Sequence, residues 1–246
     1  MDLQGRAILI TGGKRIGTAV ALELARRGMD IALSYNRSET EAAEAAEAIG
    51  AMGRRAVVLQ ADLSRGPACQ HLVDEAARAL GRLDGLIHMA SVYAQVPLQE
   101  VDEARWDSVV NVDLKAAFLC ARAAIPHMQR VGQGRIINFA DWVAASGRPR
   151  YQGYLPYYVA KRGVIGLSEA LALELAANQI LVNTIAPGPI LAPDGMTEEE
   201  ERAVEAATPL GRWGGAQEIA RAVVYLLESD FVTGETIRID GGRHIR

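Results

Sequence analysis

Short runs of consecutive apolar residues, each followed by a stretch of helical periodicity, recur along the whole chain and leave it little choice of fold. The first run, Ala7-Ile8-Leu9-Ile10, does not alternate apolar with polar positions, which marks a strand covered on both faces, as in a parallel sheet. A glycine turn follows. From there the apolar spacing becomes Ile16, Val20, Leu24, one face of a helix that Gly28 is placed to end. Further strands are expected at 31–33, 56–59, 85–88, 135–139, 180–185 and 236–239, with helices over about 38–52 and 67–80 and two long helical stretches flanking the fifth strand. This alternation predicts a single α/β domain over residues 1–246, a doubly wound sheet of seven parallel strands. Two long irregular stretches, about 146–156 and 186–197, follow strands, where an open α/β sheet places its ligand.

Composition narrows the partners. The 26 basic and 30 acidic residues leave a formal charge of −4, so no overall positive field invites nucleic acid or an anionic membrane. The expected partner is a small molecule. No apolar run approaches the roughly 20 residues that span a bilayer, and Met1 to Arg6 lacks a signal-peptide layout, so a cytoplasmic protein is expected. Cys69 and Cys120 have no metal-ligand spacing, and neither a metal nor a disulfide is expected. Only Lys14, Lys115 and Lys161 are lysine among the 26 basic residues; a position that keeps an ammonium against that background invites a chemical explanation.

The segment Thr11-Gly12-Gly13-Lys14-Arg15-Ile16-Gly17 puts glycines at a strand-to-helix turn, where backbone N–H groups and the helix N-terminus can hold a pyrophosphate. Lys14 and Arg15 read as anion ligands or as exposed turn residues. The second strand ends in Ser34-Tyr35-Asn36-Arg37-Ser38, with no acid to accept from a ribose 2′-hydroxyl, and Arg37 is suited to a 2′-phosphate. Such charge-assisted bonds are worth roughly 1.5–3 kcal/mol and favour NADPH over NADH. A surface arginine beside the Ser38 helix cap is the plainer alternative. Asp62-Leu63 after the third strand offers an acceptor for an adenine amino group, or a cap for the next helix.

Tyr157 and Lys161 are four residues apart at the start of a helix and so share one face. An ammonium about 5 Å from a phenol, at an effective dielectric near 20, stabilises the phenolate by roughly 3 kcal/mol, or about two pKa units. On this pairwise view Tyr157 titrates toward neutrality and exchanges a proton with a carbonyl or imine. His88, in an apolar strand, reads as a hydrogen-bonded core histidine.

The turn Thr11 to Gly17, Asp62-Leu63, Asn111, the Tyr157/Lys161 pair, Pro187-Gly188 and Asp240-Gly241-Gly242 together resemble the short-chain dehydrogenase/reductase family along the whole chain. The resemblance implies a Rossmann-type fold, usually a homotetramer, with NADPH held by Gly12, Lys14, Arg15, Ile16 and Gly17 at its phosphates. Asn36, Arg37, Ser38, Asp62 and Leu63 would hold the adenosine end, and Ala90, Pro187, Gly188 and Ile190 the nicotinamide end, beside Tyr157 and Lys161. It makes Tyr157 the proton donor, Lys161 the holder of the nicotinamide ribose and Asn111 the residue that orders a relay water.

Where the family has a serine, Asn138 is followed by Phe139-Ala140-Asp141, and strand four continues as His88-Met89-Ala90-Ser91. Asp141, the Lys14-Arg15 turn, Tyr93 and the ending Gly241-Gly242-Arg243-His244-Ile245-Arg246 resemble pteridine reductases, including the bacterial dihydromonapterin and dihydrofolate reductases of short-chain type. That implies a pterin stacked between nicotinamide and an aromatic side chain, with Arg15, Ser91, Tyr93, Asp141 and Tyr157 lining the substrate site. On the residues themselves, a carboxylate suits an aminopyrimidine edge and Tyr93 offers a stacking face, against a structural cap and an ordinary packed aromatic. Reduction of another carbonyl or imine, such as a 3-oxoacyl thioester, and a non-catalytic NADP-binding sensor are the competing readings. The cationic tail Arg243, His244 and Arg246 is expected to fray in a monomer and, in a tetramer, to reach a neighbour's substrate site.

Overall fold

All seven apolar runs become strands of one parallel sheet in a computed structural model that describes residues 1–12 and 14–246. They are β1 (Ala7–Thr11), β2 (Asp30–Tyr35), β3 (Ala56–Gln60), β4 (Gly85–His88), β5 (Gly134–Phe139), β6 (Ile180–Pro187) and β7 (Thr236–Ile239). The order β3-β2-β1-β4-β5-β6-β7 winds outward in two directions from the β1/β4 seam, where Thr11 lies beside His88. At such a seam the connections leave in opposite directions and open a crevice at the carboxyl ends of the strands.

Helices cover both faces, which is why the inner strands need no polar side. On one face lie α1 (Ile16–Arg26), α2 (Glu39–Ala51) and α9 (Ala216–Glu228), whose Val20, Leu24, Ile49, Val223 and Leu227 pack with Ile8, Ile10 and Ile31. On the other, α3 (Gly66–Leu80), α5 (Ala116–Arg130) and α7 (Leu155–Leu175) bring Leu72, Val73, Cys120, Met128 and Leu175 against Leu9, Leu86 and Ile136. Each large apolar side chain fully withdrawn from water there contributes about 1.5–3 kcal/mol. α4 (Glu103–Val110) runs into α5 through a widened π-helical turn, Asn111–Lys115. Such turns occur mostly as local insertions in helices, often at functional sites. The short α6 (Trp142–Ala145) and α8 (Glu198–Ala206) follow β5 and β6.

The C-terminal tail departs from expectation. Residues Arg243–Ile245 form one tight turn, and His244 Nδ1 lies 2.7 Å from Asp240 Oδ2. Arg243 and Arg246 donate to the carbonyls of Val204 (2.9 Å) and Ala206 (2.8 Å), while Arg150 from the 147–155 segment donates to the His244 carbonyl at 3.2 Å. The tail is therefore fastened within its own chain. Among the described residues no helix is long and apolar enough to cross a membrane and no group of side chains could hold a metal, and Cys69 and Cys120 are buried and unbonded.

Candidate active site

The crevice over the β1/β4 seam is a cleft of about 630 Å³. It gathers Gly12, Lys14, Ile16 and Gly17 at the β1–α1 turn, and Asn36, Arg37, Ser38, Asp62 and Leu63 beyond β2 and β3. Ala90, Ser91 and Tyr93 line it beyond β4. Gly12 has φ +64°, and a Cβ there would sit 2.8 Å from the Ala90 Cα, so only glycine lets the turn lie this close to β4. Arg37 is exposed at the rim, and the β2 end offers no carboxylate in competition with a 2′-phosphate. These residues fit a phosphorylated dinucleotide. Gly13 of the expected phosphate turn lies outside the described residues.

Several predicted ligands are otherwise engaged. Lys14 pairs with Glu41 at 2.7 Å, and that hydrogen bond raises the Lys14 pKa and lowers that of Glu41. Arg15 turns away from the cleft: its guanidinium donates to the Ala192 carbonyl at 2.9 Å and lies 3.5 Å from Asp194, strapping the turn to the loop after β6. It does so at φ +63°, a backbone region costly for a residue with a Cβ. Asp62 Oδ1 accepts from the Ser64 amide (3.1 Å) and hydroxyl (2.7 Å), and these bonds lower its pKa; it shapes the turn into α3, as the plainer reading expects, while still lining the cleft. Ser38 stands at the α2 N-cap without a capping side-chain bond. Gly188 is pressed on Asp240, and the Ile190 side chain packs into the core under α9 rather than into the cleft.

At the chemical end, Tyr157 Oη donates to Asp141 Oδ2 at 3.2 Å, and Asp141 Oδ1 accepts from the Val143 amide at 2.7 Å, capping α6. Asp141 is thus both a cap and a partner of Tyr157. Lys161, nearly fully buried, donates to the Phe139 carbonyl at 2.9 Å, and its ammonium lies 5.5 Å from the Tyr157 ring centroid. Its ionic partner is Asp113, 3.1 Å away and fully buried. Asp113 in turn accepts from the Ser91 hydroxyl and from the Val92 amide at 2.8 Å.

Asp113, not Asn111, is the π-turn residue that reaches Lys161. Positions two apart on a helix point to nearly opposite sides, and among the described residues the Asn111 side chain hydrogen-bonds only with Lys115, which donates to it at 3.4 Å. The sequence carried a signal for this: Val109, Asp113, Ala116 and Cys120 follow helical spacing, placing an acid on an otherwise apolar buried face. Ser91, expected to face substrate, is turned to Asp113 instead.

The Tyr157 pKa is pushed well above the phenol's ordinary value, the reverse of the pairwise expectation. Burial is the largest cause, followed by the Asp141 and Asp113 charges, and Asp113 offsets the ammonium that was to lower it. Burial also raises the Asp141 pKa against its hydrogen bonds. His88 behaves as the core residue expected, its pKa depressed to about 3 by burial and then by Lys161. In the neutral ring, Nε2 faces the Val112 carbonyl at 3.3 Å and so carries the hydrogen, leaving Nδ1 to accept from the Thr11 hydroxyl at 2.9 Å. Tyr93 is exposed, but Tyr154 stacks on it with centroids 4.8 Å apart, and Tyr157 meets it edge-on at 5.0 Å. One Tyr93 face is therefore taken. Tyr151 and Trp142 extend this aromatic wall, and Arg150 and Arg243 lie over the indole at 5.2 and 5.6 Å.

A doubly wound sheet with a glycine turn at its seam, and a tyrosine–lysine pair whose Tyr157 meets the cleft-lining Tyr93 edge-on, is the arrangement of a nucleotide-dependent oxidoreductase. A family model described as enoyl-(acyl carrier protein) reductase matches residues 12–244. The 3-oxoacyl-[acyl-carrier-protein] reductase of Staphylococcus aureus is 34% identical over 245 residues, 98% of each chain. A (2S)-[(R)-hydroxy(phenyl)methyl]succinyl-CoA dehydrogenase subunit of Thauera aromatica is 34% identical over 252 residues, covering 100% of this chain and 99% of its own. A short-chain dehydrogenase of Burkholderia cenocepacia, solved in complex with NADP, superposes with a TM-score of 0.91 at 31% identity over 99% of each chain. The chain belongs to the short-chain dehydrogenase/reductase family and is an oxidoreductase of that family.

Proposed function

We propose that the protein is an NADPH-dependent reductase of a carbonyl substrate, with Tyr157 as proton donor, and that a 3-oxoacyl thioester is the substrate class to test first. The observation that carries this reading is the Tyr157 hydroxyl held 3.2 Å from Asp141 with the Lys161 ammonium behind the ring. Bound NADPH supplies a hydride to the substrate carbon. Tyr157 gives its proton to the oxygen, so that the carbonyl becomes an alcohol. A substrate oxygen beside Tyr157 Oη competes for that hydrogen with Asp141, the carboxyl that stands where the family has a serine. The thioester class is supported by the Staphylococcus and Thauera relatives, a reductase of 3-oxoacyl carrier-protein thioesters and a dehydrogenase subunit for a succinyl-CoA thioester.

In the structure the dihydropteridine reading keeps Asp141, a carboxyl suited to an aminopyrimidine edge, and the remaining face of Tyr93 in the cleft. Following NADPH loss with acetoacetyl thioesters, dihydrobiopterin and dihydrofolate separates the two. We expect thioester turnover in the native enzyme, preserved or raised in Asp141→Ser, which restores a hydroxyl. Pterin turnover that disappears in Asp141→Ser would establish the pteridine reductase instead, and NADPH binding without turnover of any substrate would leave the sensor.

NADPH preference is assigned to Arg37. Arg37→Asp removes a cation and adds an acceptor for a 2′-hydroxyl, so the ratio of kcat/KM for NADPH over NADH is expected to fall by about 10-fold or more. Equal use of both cofactors by the native protein would overturn this assignment. A cytoplasmic homotetramer completes the reading, supported by free, buried cysteines and by the exposed Phe118 on α5 and Leu173 on α7.

A further inference from the structure

The chain has seven tyrosines, and four of them, Tyr93, Tyr151, Tyr154 and Tyr157, lie against one another at one end of the crevice. Tyr93 links this group to the chemistry, because it lines the cleft and its ring meets that of Tyr157 edge-on at 5.0 Å. Tyr154 stacks on Tyr93 at 4.8 Å and Tyr151 meets Tyr154 edge-on at 6.4 Å, so the aromatic surface continues outward from Tyr157. The buried Trp142 foots it. Arg150 and Arg243 already lie over that indole, at 5.2 and 5.6 Å, and the ring surface left to a ligand belongs to the tyrosines.

Packing alone does not account for this surface. Tyr93 and Tyr151 keep 59% and 47% of their area exposed, and contiguous exposed apolar surface marks a place where something binds. The segment that carries Tyr151 and Tyr154 is nonetheless fixed at both ends. The Val96 amide donates to the Gly153 carbonyl at 2.7 Å and Gln95 Nε2 to the Gln152 carbonyl at 3.2 Å, while Arg150 donates to the carbonyls of His244 and Arg246 in the tail. Gly153 has φ +83°, and a Cβ there would stand 2.8 Å from the Gln95 Cγ, so a glycine lets the two loops close on each other. A surface held in place before its ligand arrives loses little freedom on binding.

The chemistry of the surface selects among substrates. An alkyl chain gains from the apolar area it buries, without regard to direction. A planar ring gains in addition from stacking on other rings or meeting them edge-on. We propose that Tyr154 is a specificity-determining residue that, with Tyr93 and Tyr151, seats an aromatic ring carried by the substrate beyond its reacting carbonyl, so that the enzyme prefers aryl-bearing acyl thioesters to alkyl ones. The proposal rests on the protein being an NADPH-dependent reductase of carbonyl thioesters, the hydride going to the carbonyl carbon and the Tyr157 proton to its oxygen.

The test compares acetoacetyl thioesters that end in a phenyl or a cyclohexyl group, alike in size and in the reactivity of the carbonyl, in native protein, Tyr154→Leu and Tyr154→Phe. The readout is the ratio of kcat/KM for phenyl over cyclohexyl, which a general loss of rate or of folded protein does not move. One ring contact is worth about 2- to 10-fold. The native protein is expected to show at least that preference, Tyr154→Phe to keep it and Tyr154→Leu to lose most of it. Calorimetric binding of the same two thioesters to Tyr157→Phe in the presence of NADPH reads the preference without turnover. Equal handling of the two by the native protein, or a preference that persists in Tyr154→Leu, overturns the proposal, as does binding of neither. Absence of NADPH oxidation with every thioester, beside a phenyl preference in binding, overturns the reductase reading and leaves the ring seat standing.

Discussion

Tyr157→Phe is expected to lower kcat by about 10²–10⁴, the usual contribution of a positioned general acid, while NADPH affinity measured by fluorescence changes little. The substitution keeps the ring and its edge-on contact with Tyr93 and removes only the transferable proton and the bond to Asp141. It also makes a second, smaller prediction about what remains. The Tyr157 hydrogen bond holds the Asp141 pKa down against burial, so its loss strengthens the carboxyl's hold on a proton. Residual turnover in Tyr157→Phe should therefore decline as pH rises through the Asp141 titration, and adding Asp141→Asn should change that pH dependence. More than a tenth of native turnover, flat with pH, would mean that the proton comes from elsewhere.

The parts of this molecule that could be read from the sequence depend on short-range periodicity. A strand buried on both faces is a continuous apolar run, and a covering helix is an i, i+4 pattern, so residues 7–28 already hold the unit that the sheet repeats. The Tyr157/Lys161 pair is legible for the same reason. What escaped depends on contacts between distant segments. Arg15 next to a phosphate turn looks like an anion ligand, and only the folded chain brings Ala192 and Asp194 within its reach. Tyr93 lost a stacking face to Tyr154, 61 positions away, and the tail found its anchors at 150, 204 and 206. The proton affinity of Tyr157 shows the same limit in electrostatic form. One visible ammonium predicted a lowered value, whereas burial and two carboxyl groups brought in by the π turn and by α6 reverse the sign.

The β1–α1 turn offers the other large effect. Gly12→Ala places a methyl group 2.8 Å from the Ala90 Cα, a backbone atom that cannot rotate away, and asks alanine to hold φ +64°. The left-handed conformation alone costs about 1–2 kcal/mol, and relieving the clash requires β1 and β4 to part at the seam or the turn to swing outward. In a chain of this size each kcal/mol lowers Tm by roughly 2–4 °C, so the backbone cost alone is expected to lower Tm by about 2–8 °C in the protein without cofactor, with the clash adding to it. Either relaxation moves the backbone N–H groups that would hold the pyrophosphate. The native protein should gain about 2.7 kcal/mol of stability from NADPH at 100 times its Kd, a gain that appears as a rise in Tm. Gly12→Ala should show little of that rise at the same NADPH concentration, which separates a damaged phosphate turn from a merely weakened fold. An unchanged melting temperature together with a full NADPH-induced rise would mean that the turn accommodates a side chain and that the close approach of Gly12 to Ala90 does not shape the cofactor site.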